Sequence, residues 1–322
     1  MTLAGGDAAA LATDLSRCHT SLAAHGKSFH LASALLDERT RDDAAALYAF
    51  CRYVDDAVDL APPAQSTSAL QRVRREVEDL YAGQACTRPA LREFQRVAFQ
   101  RGVPAEYVVE LLAGMQMDVV GMRYDTFEDL QQYCFRVAGT VGLMMCHVLG
   151  VKQDQALRPA AQLGMAMQLT NICRDVREDW DRGRLYLPLR LLEAQGADVA
   201  SYQPGAEFPI QDRAAFALAL QELLKEAQRL YHLGKAGLRF LDLRPALAIH
   251  AAADIYADIG RSLEHIDYDV LAGRRVVTRW RKLALLTRAV ALEACSIPRR
   301  VLEAGATQIP VSVARYPDDI LC

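Results

Sequence analysis

Apolar residues recur with the spacing of one helix face along almost the whole chain, and this restricts the fold more than any other feature. Alternation of apolar and polar residues, typical of a half-buried strand, does not stand out in any segment. Ala, Leu, Arg, Glu and Gln are abundant, and most of them have high helix propensity. The sequence therefore predicts an all-α protein. The predicted helices cover residues 8–24, 31–36, 41–60, 67–83, 87–101, 104–121, 126–150, 154–181, 188–195, 211–237, 243–271 and 278–305.

The turn segments between these helices are short, which predicts a single domain. Examples are APPAQS at 61–66 and RGVP at 101–104, where proline and glycine end a helix. The chain has 322 residues, enough to bury one large core, and no linker is long or polar enough to divide it. We expect one helical bundle with a core at about residues 20–305 and a loosely ordered tail at 306–322.

Charge and cysteine content exclude several classes of protein. A formal net charge of −3 gives no bulk attraction to nucleic acid. The eight cysteines form no CxxC pair, which favours reduced thiols in a cytoplasmic protein over a zinc site or a disulfide framework. The longest apolar run, VAGTVGLMMCHVLGV at 137–151, is too short to span a bilayer. The sequence thus predicts a cytoplasmic protein without a transmembrane helix.

An otherwise apolar helical stretch, LYAFCRYVDDAVDL at 47–60, carries a polar stripe on one face. Asp55 and Asp59 are four residues apart and share this face with Arg52 and Tyr48. Like charges buried side by side are costly unless a cation compensates them, and hard oxygen ligands suit Mg²⁺. Taken alone, this first acidic stripe is explained equally well as a solvated helix face.

A second acidic stripe in MQLTNICRDVREDWDRGRLYLP, at 167–188, favours the metal-binding interpretation. Its two aspartates repeat the four-residue spacing of the first stripe, and Glu178 and Asp181 would extend the acidic edge. Two such helices facing each other would gather four carboxylates, which could bind several Mg²⁺ ions and, through them, a diphosphate. The polar residues that share this second face are Gln168, Asn171, Asp175 and Asp179.

Four segments resemble the squalene and phytoene synthase family, most closely its bacterial phytoene synthase branch, from about residue 27 to 282. They are SFHLASALL, LYAFCRYVDDAVD, YCFRVAGTVGLMM and QLTNICRDVREDWDRGRLYLP. The resemblance implies an isoprenoid synthase helical bundle around a central apolar cavity. It also implies head-to-head condensation of two prenyl diphosphates, with Mg²⁺ or Mn²⁺ as the metal and no NADPH.

The same resemblance assigns roles to individual residues of this sequence. The implied ligands of the metal and its diphosphate are Asp55, Asp59, Asp175 and Asp179. The implied catalytic residues are Tyr133, which would face the reacting carbons, Arg52 and Arg174. The implied substrate-binding residues are His25, Lys27, Ser28, Tyr48, Gln168, Asn171 and Tyr256.

Several of these residues also have a purely structural interpretation. Tyr133 and Tyr256 fit core aromatic positions, and His25 fits an exposed one. The basic run at 274–282 fits a solvated helix face, a site for the second diphosphate, or contact with an anionic membrane surface. Ser33 and Ala45 are small, and on helices that the resemblance places along the pocket they would leave room for a C20 chain.

Three functions remain open from the sequence. The first is synthesis of phytoene from two geranylgeranyl diphosphates through a cyclopropylcarbinyl diphosphate. The second is squalene, dehydrosqualene or presqualene diphosphate synthesis from farnesyl diphosphate. The third, a non-catalytic helical protein, is disfavoured because every expected metal-binding position is intact. The predicted partners are prenyl diphosphates and, peripherally, the inner face of the membrane, but not nucleic acid. The oligomeric state is not predicted.

Overall fold

A computed structural model describes residues 5–271, 273–303 and 320. Over these residues the chain forms helices and no strand, which confirms the all-α prediction. No helix in this part of the chain is long and apolar enough to cross a membrane. The helices are α1 (Gly5–His25), α2 (Lys27–Ser33), α3 (Glu38–Asp59), α4 (Ser66–Tyr81), α5 (Pro89–Arg101), α6 (Ala105–Val119), α7 (Phe127–Cys134), α8 (Thr140–Val148), α9 (Leu157–Asp181), α10 (Leu189–Glu193), α11 (Arg213–Ala236), α12 (Leu243–Glu264) and α13 (Arg279–Glu303).

Local capping chemistry sets several helix boundaries. The carboxylate of Asp37 accepts a hydrogen bond from the backbone N–H of Thr40 at 3.0 Å and so begins α3. Thr126 and Asp129 form a reciprocal capping box at the start of α7. Gly102, with φ +65°, ends α5 in the left-handed conformation that glycine adopts without strain. These boundaries follow from side chains within a few residues of each helix end.

Three predicted helices differ from the structure. The helix predicted at 126–150 contains a π-helical turn, Phe135–Gly139, between α7 and α8. The helix predicted at 31–36 begins earlier, at Lys27. The helix predicted at 243–271 ends at Glu264, because Asp267 and Tyr268 adopt positive φ angles that a right-handed helix does not allow.

Helix α9 lies at the centre of the bundle and packs against α8, α11, α12 and the π-helical turn. Two glycines bring its backbone against its neighbours. A Cβ on Gly142 would lie 2.3 Å from the carbonyl oxygen of Ala160, and one on Gly164 would lie 2.2 Å from that of Ala138. The crossing of α8 and α9 is therefore a backbone-to-backbone contact, and it fixes the wall of the cavity described below.

The predicted loosely ordered tail, 306–322, lies outside the described residues except for Ile320. This side chain is fully buried, and its carbonyl oxygen accepts a hydrogen bond from the Nε2 of Gln162 at 3.1 Å. Gln162 is a buried polar residue on the central helix, so the contact satisfies a group that would otherwise be costly to bury.

Candidate active site

The two acidic stripes face a common space at the carboxyl-terminal ends of α3, α6 and α9. Burial and the neighbouring Asp59 charge raise the pKa of Asp55 to about 6. Burial and the neighbouring Asp175 charge raise the pKa of Asp179 to about 7. The charge of Asp118, on α6, raises both pKa values further. Asp118 therefore lies close to both stripes. The nearby arginines do not fully neutralise the negative charge of these carboxylates.

Asp118 was not predicted from the sequence. Its carboxylate accepts hydrogen bonds from the hydroxyls of Tyr133 at 3.0 Å and Tyr186 at 2.7 Å. Burial raises its pKa to about 6, although these hydrogen bonds and the charge of Arg184 oppose the shift. The only signal in the sequence is a lone acid in GMQMDVVGM, the apolar end of α6. A single buried acid in such a segment marks a functional residue or a compensated core position.

Tyr133, predicted to face the reacting carbons, is buried between Asp118 and other aromatic rings. Its ring stacks on Tyr186 at a centroid distance of 5.0 Å and packs against Tyr124 at 5.4 Å. Only 3% of the residue is exposed, and it does not belong to the lining of the apolar cavity. The structure thus places the Tyr133 hydroxyl at the acidic cluster, which consists of Asp118 and the four stripe aspartates.

Arg184, which follows α9, is the second residue that the sequence reasoning missed. Its Nη2 lies 2.6 Å from the Oδ1 of Asp59, on the first stripe. Its charge also opposes the raised pKa of Asp179, on the second stripe. One guanidinium therefore bridges the two acidic helices. It lies within the segment QLTNICRDVREDWDRGRLYLP, where its position after the helix gave no periodic signal.

The two arginines predicted at the site hold carboxylates next to them. Arg174 is largely buried and donates two hydrogen bonds to Asp175, one of them from Nε at 2.8 Å. Arg52 lies 2.5 Å from Asp56, which is off the stripe, and 3.4 Å from Asp55. Each stripe therefore has its own arginine, and both guanidinium groups are positioned beside the acidic space.

One arginine of the basic run also reaches the second stripe. Arg274 lies 3.3 Å from Asp175 and 3.2 Å from Glu178. Asp181, expected to extend the acidic edge, instead pairs with Arg177 at 3.0 Å on the exposed side of α9. The acidic edge therefore ends at Asp179, because Asp181 lies on a different face of the helix.

The oxygen atoms of the two stripes are suitable ligands for a divalent cation, although arginine side chains pair with three of these carboxylates in this structure. Within the described ranges, no three His, Cys, Asp or Glu side chains converge closely enough to hold one metal ion as they stand. The Oδ1 of Asn171, however, is buried and has no hydrogen-bond partner among the residues that the structure describes. An unsatisfied buried oxygen beside repelling carboxylates is suited to a hard cation such as Mg²⁺ or Mn²⁺.

An apolar cavity of about 300 Å³ begins at the acidic cluster and runs into the bundle along α9. Its polar end is lined by Tyr48, Gln168, Asn171 and Tyr256. Its remaining wall is almost entirely aliphatic. This volume is within the range of sites that bind small molecules and is far larger than the space of one buried water. The cavity can therefore hold a long apolar group whose polar end lies at the carboxylates.

Three predicted substrate-binding residues lie on the rim instead of in the cavity. His25 is exposed at the end of α1, and Lys27 is exposed at the start of α2. The hydroxyl of Ser28 accepts a hydrogen bond from the Nζ of Lys282, at 3.0 Å. Burial and the charge of Lys27 lower the pKa of Lys282, so α2 and α13 together form a basic rim.

The prediction that Ser33 and Ala45 line the pocket is wrong for this cavity. Neither residue belongs to its lining. Ala45 is fully buried against α1, in a cluster with Cys18 and Leu22. The hydroxyl of Ser33 donates to the carbonyl oxygen of His30 within its own helix. Small side chains at these positions serve close helix packing here, and other residues form the cavity wall.

Fold and site together define an all-α protein with the isoprenoid synthase fold, in which an acidic cluster lies at the mouth of a deep apolar cavity. The family model described as "Squalene/phytoene synthase" matches residues 22–281, and the chain belongs to this family.

Two relatives and one solved structure illustrate this similarity. The chain is 38% identical to "Phytoene synthase" of Rhodobacter capsulatus over 276 residues, covering 85% of this chain and 80% of that protein. It is 36% identical to "15-cis-phytoene synthase" of Pantoea ananas, covering 84% and 88%. A crystal structure of a dehydrosqualene synthase superposes with a TM-score of 0.77 at 27% identity, covering 88% of this chain and 98% of that one.

Proposed function

We propose that the chain is a phytoene synthase, a prenyltransferase of carotenoid biosynthesis. It condenses two geranylgeranyl diphosphates head to head through a cyclopropylcarbinyl diphosphate, and proton loss then gives phytoene. The observation that carries the proposal is the acidic cluster at the polar end of a long apolar cavity. Such a site suits a molecule with a diphosphate head and a long hydrocarbon tail. The similarity to proteins named phytoene synthase supports the choice of product.

The metal ligands would be the four stripe aspartates, with the free Oδ1 of Asn171 as a further oxygen. Bound Mg²⁺ supplies charge neutralisation for the departing diphosphate. The protein contributes the anionic pocket that makes this binding favourable. The pKa values of Asp55 and Asp179 are raised because burial and a neighbouring aspartate make their ionised forms costly. A cation that neutralises these charges therefore stabilises the protein more than one bound at an ordinary surface carboxylate. Mn²⁺ has the same preference for oxygen ligands and would replace Mg²⁺.

The arginines supply the second part of leaving-group stabilisation. Arg52, Arg174 and Arg184 lie against the stripe carboxylates, within the same space that the diphosphate would enter. Charge-assisted hydrogen bonds from guanidinium groups to phosphate oxygens are short and strong. Tyr48, Gln168 and Tyr256 would orient the substrate at the polar end of the cavity. His25, Lys27 and Ser28 would attract its diphosphate at the basic rim.

The remaining chemistry depends on keeping water away from an allylic cation. The aliphatic wall along α9 provides a dry environment for it. Tyr133 does not line this cavity, and its catalytic role would be exerted at the acidic cluster, where its hydroxyl donates to Asp118 and holds that carboxylate in place. Formation of a conjugated triene needs only proton loss, so no NADPH is required.

A peripheral contact with the inner face of the membrane is proposed for the start of α13. Trp280 is 82% exposed and Val276 72% exposed, and Arg275 and Arg279 lie beside them in sequence. Exposed tryptophan and arginine together are typical of membrane-interface surfaces. The product is a water-insoluble hydrocarbon that must leave for an apolar phase. Sedimentation with anionic vesicles tests this: Trp280→Ser should reduce binding severalfold, and unchanged binding would contradict it.

The second candidate is squalene-type or dehydrosqualene synthesis from farnesyl diphosphate, which the superposition on a dehydrosqualene synthase favours. One experiment separates the two functions. Purified protein is incubated with C15 or C20 diphosphate and Mg²⁺, with and without NADPH, and the hydrocarbon is identified by mass spectrometry. We expect phytoene from the C20 substrate, with no effect of NADPH on rate or product. A reaction that stops at a cyclopropyl diphosphate until NADPH is added would instead indicate squalene-type chemistry.

A further inference from the structure

The cavity continues past the point where a C15 tail would end. Its lining follows α9 from Asn171 at the polar end to Ala156, just before the first residue of the helix. A helix rises about 1.5 Å per residue, so the fifteen steps from Ala156 to Asn171 span about 22 Å. Ala160 lies about 16 Å from Asn171 on the same scale.

Extended prenyl chains can be compared with this length directly. Three bonds of an extended chain span about 3.5 Å, so the main chain of a farnesyl group reaches about 14 Å and that of a geranylgeranyl group about 19 Å. A C15 tail starting level with Asn171 would therefore end before Ala160. A C20 tail would pass Ala160 and end before Ala156. The inner end of the cavity is thus the space that only the fourth isoprene unit fills.

Small residues keep the inner end of the cavity open. On the α9 side the wall is formed by Ala156 and Ala160. On the α8 side, Gly142 packs against the Ala160 carbonyl oxygen, so the two helix backbones meet at this level, and Met145 and Cys146 of α8 line the cavity one turn further on. Leu149, Val151 and Leu238 complete the apolar wall. Among the residues that the structure describes, the polar side chains of the lining all lie at the Asn171 end, so the inner surface that these residues form suits hydrocarbon.

We infer that Ala160, with Ala156 behind it, determines prenyl chain length by leaving room for the fourth isoprene unit. This inference rests on the proposed function and identifies residues in place of Ser33 and Ala45, which lie outside the cavity. A phenyl ring at position 160 would fill the inner end and leave the first three isoprene units unaffected. The wild type should then prefer C20 tails, since full burial of five more carbons strengthens binding by up to on the order of a thousandfold.

The test measures binding of farnesyl and geranylgeranyl thiodiphosphates, which cannot ionise readily, to the full chain with Mg²⁺ by titration calorimetry. We expect Ala160→Phe to lower the C20-to-C15 affinity ratio at least tenfold, mainly through weaker C20 binding. Ala156→Phe, nearer the end, should lower the ratio less. Arg158→Phe is the control: it places the same ring on an exposed position in the first turn of α9 and should leave the ratio unchanged.

The outcomes separate the inference from the function on which it rests. If the wild type binds both analogues and both Phe variants of the inner alanines keep the wild-type ratio, the inference is overturned. If the wild type binds neither analogue, the proposed function fails instead. Should Ala160→Phe lose its helical circular dichroism, Ala160→Leu replaces it, with the same direction and a smaller change in ratio.

Discussion

At the scale of single residues, arginine side chains partly neutralise the negative charge of the stripe carboxylates in the absence of metal and diphosphate. Arg174 and Arg184 hold Asp175 and Asp59, one on each stripe. Despite them, burial keeps the pKa values of Asp55 and Asp179 well above their ordinary range. The compensation is therefore incomplete, and the residual negative charge is what a divalent cation would neutralise.

Replacing one stripe aspartate should stop turnover without unfolding the protein. We expect Asp175→Asn to lower kcat by on the order of a hundredfold or more, because removing one ligand leaves leaving-group charge unneutralised. Diphosphate release measures the rate, and thermal unfolding measures the fold. Wild-type release together with an unchanged melting temperature would contradict the metal assignment. Asp181→Asn, which changes an exposed acid on the same helix, is the matched control.

Arg184 offers a second test, because its role was not apparent from the sequence. Arg184→Gln removes the bridge to Asp59, and we expect it to lower kcat/KM by roughly tenfold to a hundredfold. Arg177→Gln is the control: it removes a guanidinium from the exposed pair with Asp181. Equal effects of the two substitutions on steady-state kinetics would mean that Arg184 has no specific role at the cluster.

At the scale of helices, α3, α6 and α9 each end in acidic residues that share one space, and this concentration of charge makes stability depend on pH. Asp55 and Asp118 have pKa values of about 6 and Asp179 of about 7, all above their unfolded values. Between about pH 4 and 7 the folded state therefore binds more protons than the unfolded state. The contribution to stability is present at low pH and is lost as pH rises through 6 to 7.

Urea unfolding in EDTA should detect this dependence. We expect the free energy of unfolding of the metal-free protein to fall by on the order of 2 kcal/mol between pH 5.5 and pH 8. Saturating Mg²⁺ should restore it at pH 8, since the cation binds the ionised carboxylates. Asp179→Asn should flatten the pH dependence because it removes the most strongly shifted group. Stability that rises with pH in EDTA would contradict this account of the cluster.

The crossing of α8 and α9 is also a property of whole helices. In Gly164→Ala the new methyl group would lie 2.2 Å from the carbonyl oxygen of Ala138, in the π-helical turn that leads into α8, so this turn and α9 must move apart. We expect a loss of roughly 1–3 kcal/mol in the free energy of unfolding, measured by denaturant titration. Gly260→Ala is the control on α12, because its methyl would meet only the end of the Leu224 side chain, at 3.2 Å. Equal, small effects would show that the crossing is not tight.

At the scale of the whole molecule, the sequence predicts those features that depend on the spacing of residues along a single helix. The all-α fold and the two stripes follow from the 3.6-residue period. Asp118 and Arg184 could not be found in this way, because each is a single polar residue that reaches the cluster only through packing between helices. The wrong placement of Ala45 has the same origin, since one helix offers several apolar directions and only the packed structure shows which one faces the cavity.

The central claim is that both acidic helices hold one metal–diphosphate unit while the tail runs along α9. The most direct measurement is a crystal structure with Mn²⁺ and geranylgeranyl thiodiphosphate, in which anomalous scattering locates the metal. We predict anomalous peaks between Asp55 and Asp59 on one side and Asp175 and Asp179 on the other, with the tail passing Ala160. Peaks away from either stripe, or a tail outside the cavity along α9, would contradict the account.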